Sequence, residues 1–154
     1  MNKINLGCGN DIQNPDEYIN HDLYKHRKEI DICFDLNNER WPAIIISSKI
    51  EFDEVRAWDV IEHIDDPINF MNNCWEILKE NGVLDIKACG WQNPNFHVDI
   101  THKRAYDVRS FDYFLPETKI GIEYNYYTEK KWKVVEAGKY DRNGNVLIKL
   151  TPIK

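Results

Sequence analysis

The 154-residue sequence has no CxxC pair, no internal repeat, no low-complexity linker and no excess of basic residues. Its four cysteines, Cys8, Cys33, Cys74 and Cys89, are scattered, and three lie in apolar segments where cysteine acts as a small hydrophobe. Neither a disulfide nor a zinc cluster is expected, and no metal site is assigned. The longest apolar run, Ala43 to Ile46, falls far short of the roughly 18 residues of a membrane span, so no membrane association is expected. No basic, apolar leader precedes the first strand, which makes the cytoplasm the expected location. A net charge of −6 opposes broad capture of nucleic acid and favours basic or neutral small substrates, with Lys103-Arg104 the one local basic patch. Without a linker, residues 1–154 are expected to form one domain large enough for a full core.

What is present is an alternation of strand and helix patterns, the signature of a parallel sheet with helices packed on it. Strands are expected at Lys3 to Leu6, Tyr18 to Asp22, Ile30 to Asp35, Phe52 to Trp58 and Val83 to Cys89. The connection Asn10 to Glu17 is too short and polar for a crossover helix, and a turn with a short helix is expected between Asn37 and Ile46. Asp65-Asp66-Pro67 supplies an N-cap and first-turn proline for a helix whose Phe70, Met71, Cys74, Trp75 and Leu78 recur at helical spacing. Asn81-Gly82 is expected to close that helix. A short helix follows at Val108 to Phe114, then a hairpin of Lys131 to Tyr140 and Val146 to Thr151 around Asn143-Gly144. The fold class is α/β: a doubly wound, mostly parallel Rossmann-like sheet with an antiparallel C-terminal hairpin strand.

The first strand runs directly into Gly7-Cys8-Gly9, a turn that is either a ligand cradle or a plain strand connection. Later residues weigh on that choice. Ile4-Asn5-Leu6-Gly7-Cys8-Gly9, the strand-ending Asp22, the pair Asp35-Leu36, Asp59-Val60-Ile61-Glu62-His63-Ile64 and Leu78-Lys79-Glu80-Asn81-Gly82 occur in an order that resembles the small class I S-adenosylmethionine-dependent methyltransferases. The resemblance spans nearly the whole chain. It implies a methyltransferase that uses S-adenosylmethionine and releases S-adenosylhomocysteine. It also implies a cofactor site of Asn5, Gly7, Cys8, Gly9, Asp22, Leu23, Asp35, Leu36, Ala57, Trp58 and His63. Asp22 would accept from the ribose hydroxyls and Asp35 from the adenine amino group. Ala57 and Trp58 would line the methionine side, the Trp58 ring offering its face to a cation. Asp59 reads as a helix-start residue.

Two positions depart from the family pattern, Asn5 where an acid is common and Asp11 where a third glycine is usual, and the helix between the first two strands is nearly absent. They motivate a rival reading, a non-catalytic binding module of this fold. A nicotinamide-dependent oxidoreductase ranks lower, because no G-x-G-x-x-G turn opens a helix. His97 to Arg104 should lie over the crevice mouth and choose the acceptor, with His97 or His102 as catalytic base and Lys103 and Arg104 either holding an acidic group or solvated. His97, Asp99 and His102 also have metal-ligand chemistry, but spacing does not establish that they converge. Tyr124, Tyr126 and Tyr127 could wall the pocket. The expected acceptor is a small molecule or glycan-like compound. Base methylation is disfavoured by the lack of an Asn/Asp-Pro-Pro-aromatic motif after the fourth strand, and a homodimer is compatible with the reading.

Overall fold

The computed structural model describes residues 2–41, 45 and 51–154. Seven strands form one sheet: β1 (Lys3–Leu6), β2 (Tyr18–Asp22), β3 (Ile32–Cys33), β4 (Phe52–Trp58), β5 (Leu78–Ala88), β6 (Lys131–Tyr140) and β7 (Val146–Ile153). Their order across the sheet is β3-β2-β1-β4-β5-β7-β6. The first five are parallel, and β7 enters antiparallel between β5 and β6. The expected mostly parallel sheet with an antiparallel finish is the observed fold. The expected turn and short helix between Asn37 and Ile46 lie in part outside the described residues.

Three helices are described: α1 (Pro67–Ile77), α2 (Asn95–Val98) and α3 (Lys119–Glu123), along with 3-10 segments at Ile61–His63, Val108–Phe114 and Asn125–Tyr127. The Asp66 side chain accepts from the backbone N–H groups of Ile68 and Asn69, so the acid before Pro67 caps α1 as its sequence predicts. α1 buries Phe70, Met71, Cys74 and Ile77 against the sheet. Each such side chain removed from water contributes about 1.5–3 kcal/mol.

Element boundaries differ from expectation where α1 passes into β5, at β3 and, by two residues, at the end of β7. Asn81-Gly82 does not close α1. The chain turns extended at Leu78, and residues 79–82 bulge beside β4, where Phe52 pairs with Leu78 but Glu54 pairs with Val83. A Cβ on Gly82 would stand 2.8 Å from the Phe52 carbonyl oxygen, so this glycine serves a close backbone approach within the bulge. The third strand, expected over Ile30 to Asp35, is only Ile32–Cys33, because β2 ends at Asp22 and offers no further ladder.

The winding explains where the helices are. The steps from β1 to β2 to β3 run one way across the sheet and those from β3 to β4 to β5 run the other. Right-handed crossovers therefore place the two sets of connections on opposite faces. One face receives α1 and the apolar residues Ile4, Leu6, Val55, Ala57, Leu84 and Ile86. Among the described residues the other is crossed by residues 7–17 and 23–31, which contain no helix.

That second face is polar. Lys3 and Asn5 of β1 stand in register with Tyr18 and Asn20 of β2 and with Glu54 and Arg56 of β4. The Tyr18 hydroxyl donates to Glu54, and Lys3 lies 3.5 Å from Glu54. In place of a helix, a hydrogen-bonded network ties the loop down. Arg56 donates to Asn5 Oδ1 at 3.0 Å and to Asp11 Oδ2 at 2.6 Å, and Asn5 Nδ2 donates to the Asp11 carbonyl at 2.8 Å. Asn20 exchanges bonds with the Gln13 backbone. The two departures from the family pattern, Asn5 and Asp11, are thus partners of one buried arginine.

Candidate active site

Two cavities open at the carboxyl ends of the parallel strands, where open α/β sheets hold their ligands. The first, about 460 Å³, is lined by Gly7, His21, Asp22, Leu23, Phe34, Asp35, Leu36, Asn37, Asp59, Val60, His63, Ile64, Thr101 and Lys103. The second, about 430 Å³, is lined by Asp59, Glu62, His63, Lys87, Cys89, Asn93, Asn95, Val98, Asp99, His102, Asn143 and Asn145. Asp59 and His63 belong to both.

The glycine turn builds the first cavity. Gly7 and Gly9 both have positive φ, +57° and +50°. A Cβ on Gly7 would stand 2.7 Å from Val60 Cγ2, whereas one on Gly9 would meet nothing within 4 Å. The turn is held by the end of β2: Asp22 Oδ2 accepts from the Gly9 N–H at 2.6 Å and Oδ1 from the Leu23 N–H at 2.7 Å. His21 fixes the other side. Its Nδ1 accepts from the Gly7 N–H at 3.2 Å, so the ring proton is on Nε2, which donates to the Phe34 carbonyl at 3.0 Å. Burial holds this neutral form, with a pKa pushed down to about 4. Asp35 accepts from the Asn37 backbone N–H and side-chain amide, and Asn37 Oδ1 accepts from the Asp65 N–H.

Asp59 marks the junction between the cavities. It is the one described non-glycine residue with positive φ, +55°, and its carboxylate accepts from Lys87 Nζ at 2.6 Å. Its sequence reading as a helix start does not hold, since Val60 is the residue that precedes the 3-10 segment. A left-handed aspartate between two cavities is the kind of local strain found at functional sites.

The second cavity collects side chains from three distant segments. Glu62 is fully buried, its Oε1 accepting from the Cys89 N–H at 2.9 Å while Oε2 has no partner, and burial raises its pKa to about 7. Asp99 Oδ1 accepts from the Thr101 N–H at 2.8 Å and the Thr101 hydroxyl at 2.6 Å, bonds that hold its carboxyl below the usual range. His63 Nδ1 lies 2.9 Å from the same hydroxyl, and the His63 and His102 rings meet edge to face at 4.7 Å. The hairpin turn closes the wall: Asp141 accepts from the Asn143 and Asn145 backbones, and Asn145 Oδ1 accepts from Asn93.

The sequence-expected residues divide as follows. Gly7, Asp22, Leu23, Asp35, Leu36 and His63 line the first cavity, with Gly9 bonded to Asp22. Cys8 is buried behind the turn, its sulfur 4.0 Å from Asp22. Asn5 is wholly buried within the arginine network and does not line the cavity. Ala57 is buried in the core, and the Trp58 ring takes the guanidinium of Arg56 at 3.8 Å, away from both cavities. His102 lines the second cavity but His97 does not: its exposed ring packs on Phe96. Lys103 pairs with Asp65, and Arg104 donates to the Asp65 carbonyl, pinning the loop rather than standing free. Tyr127 borders a separate hollow beside Tyr113, and Tyr126 is exposed. Glu62, Asn93 and Asn145 were not expected. Glu62 carried a signal, a carboxylate inside an otherwise apolar segment.

No family profile matches the chain, and no curated protein does. Solved structures do match. A SAM dependent methyltransferase from Archaeoglobus fulgidus superposes with a TM-score of 0.61 over 97% of this chain and 85% of its own, at 13% identity. A SAM-dependent methyltransferase from Thermotoga maritima gives 0.62 over 99% and 82%, at 16% identity. This is the class I methyltransferase fold. A third, the S-adenosylmethionine-dependent methyltransferase from Clostridium acetobutylicum, gives 0.59 over 97% and 83%, at 12% identity. Within this fold the chain presents a glycine turn and strand-end acids, and among the described residues one sheet face carries no helix. No described helix is long and apolar enough to cross a membrane.

Proposed function

We propose that this chain is an S-adenosylmethionine-dependent methyltransferase that modifies a small-molecule or glycan-like acceptor. The observation that carries this reading is the pair of cavities joined at Asp59 and His63, one shaped by the glycine turn and two strand-end acids, the other rich in imidazole and carboxyl groups. The first cavity fits an adenosyl group. Leu23, Phe34, Leu36, Val60 and Ile64 supply apolar contact for a base, and Asp22 retains lone pairs for the ribose hydroxyls after its two backbone bonds. Asp35, held by Asn37, is the acceptor for an exocyclic amine.

When bound, the cofactor supplies an electrophilic methyl group on a sulfonium that is already a good leaving group. The chain's task is therefore alignment and, for a hydroxyl acceptor, removal of one proton. Open space over Gly9 leaves the turn approachable there, while the bare Cα of Gly7 makes room for the Val60 side chain that packs against the turn. Glu62, His63 and His102 are among the groups in the second cavity able to take a proton. His97, outside it, is not assigned that role.

The engagement of Asn5 with Arg56 favours a second reading, a binding module of this fold with a weakened methionine-end site. Calorimetry with S-adenosylhomocysteine, paired with a methyl-transfer assay, separates the two. The enzyme reading expects binding in the parent chain, loss of binding by at least about 100-fold in Asp22→Ala, consistent with removing a charged double acceptor, and retained binding with reduced turnover in His102→Ala. Equal binding by Asp22→Ala would overturn the site assignment.

A further inference from the structure

His63, Asp99 and His102 each present a ligand atom, and the three atoms lie within 4.8 Å of one another. The spacing of the 97–104 segment leaves open whether its histidines meet. Folding brings His102 and Asp99 together with a histidine from the other side of the crevice, His63, in place of His97. We propose that these three side chains form a binding site for a divalent cation of the zinc class, placed in the acceptor cavity beside its junction with the first.

The donor set is two imidazoles and one carboxylate, which suits zinc, iron or cobalt and leaves coordination positions open for a ligand oxygen. Hydrogen bonding around the triad supports the assignment. Asp99, as a carboxylate, can only accept, so the Thr101 hydroxyl proton points to it at 2.6 Å. The Thr101 oxygen, 2.9 Å from His63 Nδ1, must then accept from that nitrogen. His63 is left with its lone pair on Nε2, free for a metal, and its Nδ1–H is given to an oxygen, as in metal-ligating histidines generally. His102 gives an independent indication. Its side chain is only 8% exposed, its Nδ1 is buried without a partner, and its Nε2 lies 3.8 Å from Asp99, too far for a hydrogen bond. Two imidazoles face each other at 4.7 Å with one carboxylate between segments, an arrangement that a shared cation satisfies. The consequence for the acceptor is chemical: the site would select a molecule whose hydroxyl or carboxylate can coordinate the cation.

The test is titration of cobalt(II) and of zinc(II) into the chelator-treated full chain, read by visible absorption and calorimetry. One equivalent is expected, with the cobalt spectrum of nitrogen and oxygen ligands. Asp99→Asn, which keeps the size of an exposed side chain, and His63→Gln should each weaken binding beyond the roughly 10- to 100-fold that losing an orienting contact costs, and Thr101→Val should fall within that range. His97→Ala should bind as the parent does. The proposal is overturned if the parent takes up no cation at millimolar concentration, or if Asp99→Asn and His63→Gln bind as the parent does, or if binding disappears in Cys33→Ser, whose thiol is exposed. Titrating S-adenosylhomocysteine into the same variants keeps this outcome separate from the cofactor reading, since cation binding can fail with cofactor binding intact and the reverse.

Discussion

The two cavities share Asp59 and His63 yet are built by different means. The first is a backbone construction: two left-handed glycines, the ends of β1 and β2, and carboxylates spent partly on holding N–H groups. The second is a side-chain construction, drawn from residues 59–63, 87–102 and 141–145 and closed by amide contacts between the hairpin turn and the loop after β5. A backbone site tolerates little change of residue type at its turn, while a side-chain site is open to change in what it binds. The difference also explains how the first can survive without a helix behind it, since the Arg56 network holds the loop that such a helix would otherwise position.

Glycine substitutions test the backbone side with the largest expected effect. Gly7→Val combines a left-handed backbone with a contact of 2.7 Å to Val60, so a loss of about 3–4 kcal/mol is expected in denaturant melts, from strain plus overpacking. Gly9→Ala has the same backbone cost but open space, and about 1 kcal/mol is expected. Equal losses at the two glycines would remove the distinction between a packed and an open side of the turn.

Acid should act on the first cavity through His21. The unfolded ring takes a proton below about pH 6.5 and the folded ring only below about pH 4, so the unfolded state binds more protons across that window. Stability contributed by neutral His21 is therefore complete above pH 6.5 and falls by about 3 kcal/mol as the pH drops toward 4. His21→Gln, which cannot charge, should flatten that part of the pH profile in chemical denaturation. An unchanged profile would show that burial does not hold the imidazole neutral.

At the second cavity, Asp141→Ala removes three bonds that shape the hairpin turn and should cost about 1–2 kcal/mol. Turnover should fall while binding of S-adenosylhomocysteine is unchanged. Loss of cofactor binding in this variant would mean that the cavities do not act separately.

The same contrast accounts for what could be read from residues alone. β1, β2, β4 and β6 begin and end where alternation places them, and Asp66 caps α1, because these signals are local. Gly7, Asp22 and Asp35, which line the first cavity, are legible for the same reason, as they punctuate strand ends. The end of α1 was not, because Gly82 answers to the Phe52 carbonyl across the sheet rather than to its own helix. That Trp58 stands outside both cavities is not legible, because a strand's two faces look alike until a partner is known, and that partner is Arg56. The replacement of His97 by His63 in the histidine cluster depends on how the 95–104 loop returns. That path is fixed by Tyr106 pairing with Gly90 and by Lys103 bonding to the Glu62 carbonyl, contacts with no local sequence signal.

The proposed function places an adenosyl cofactor in the cavity at Gly7, Asp22 and Asp35. A crystal structure of the chain grown with S-adenosylhomocysteine tests it most directly. Density is expected for the ribose at Asp22 and for the adenine between Leu36 and Asp35, with the sulfur directed toward Asp59 and the second cavity. Well-ordered S-adenosylhomocysteine bound elsewhere, or an empty first cavity at saturating ligand, would contradict it.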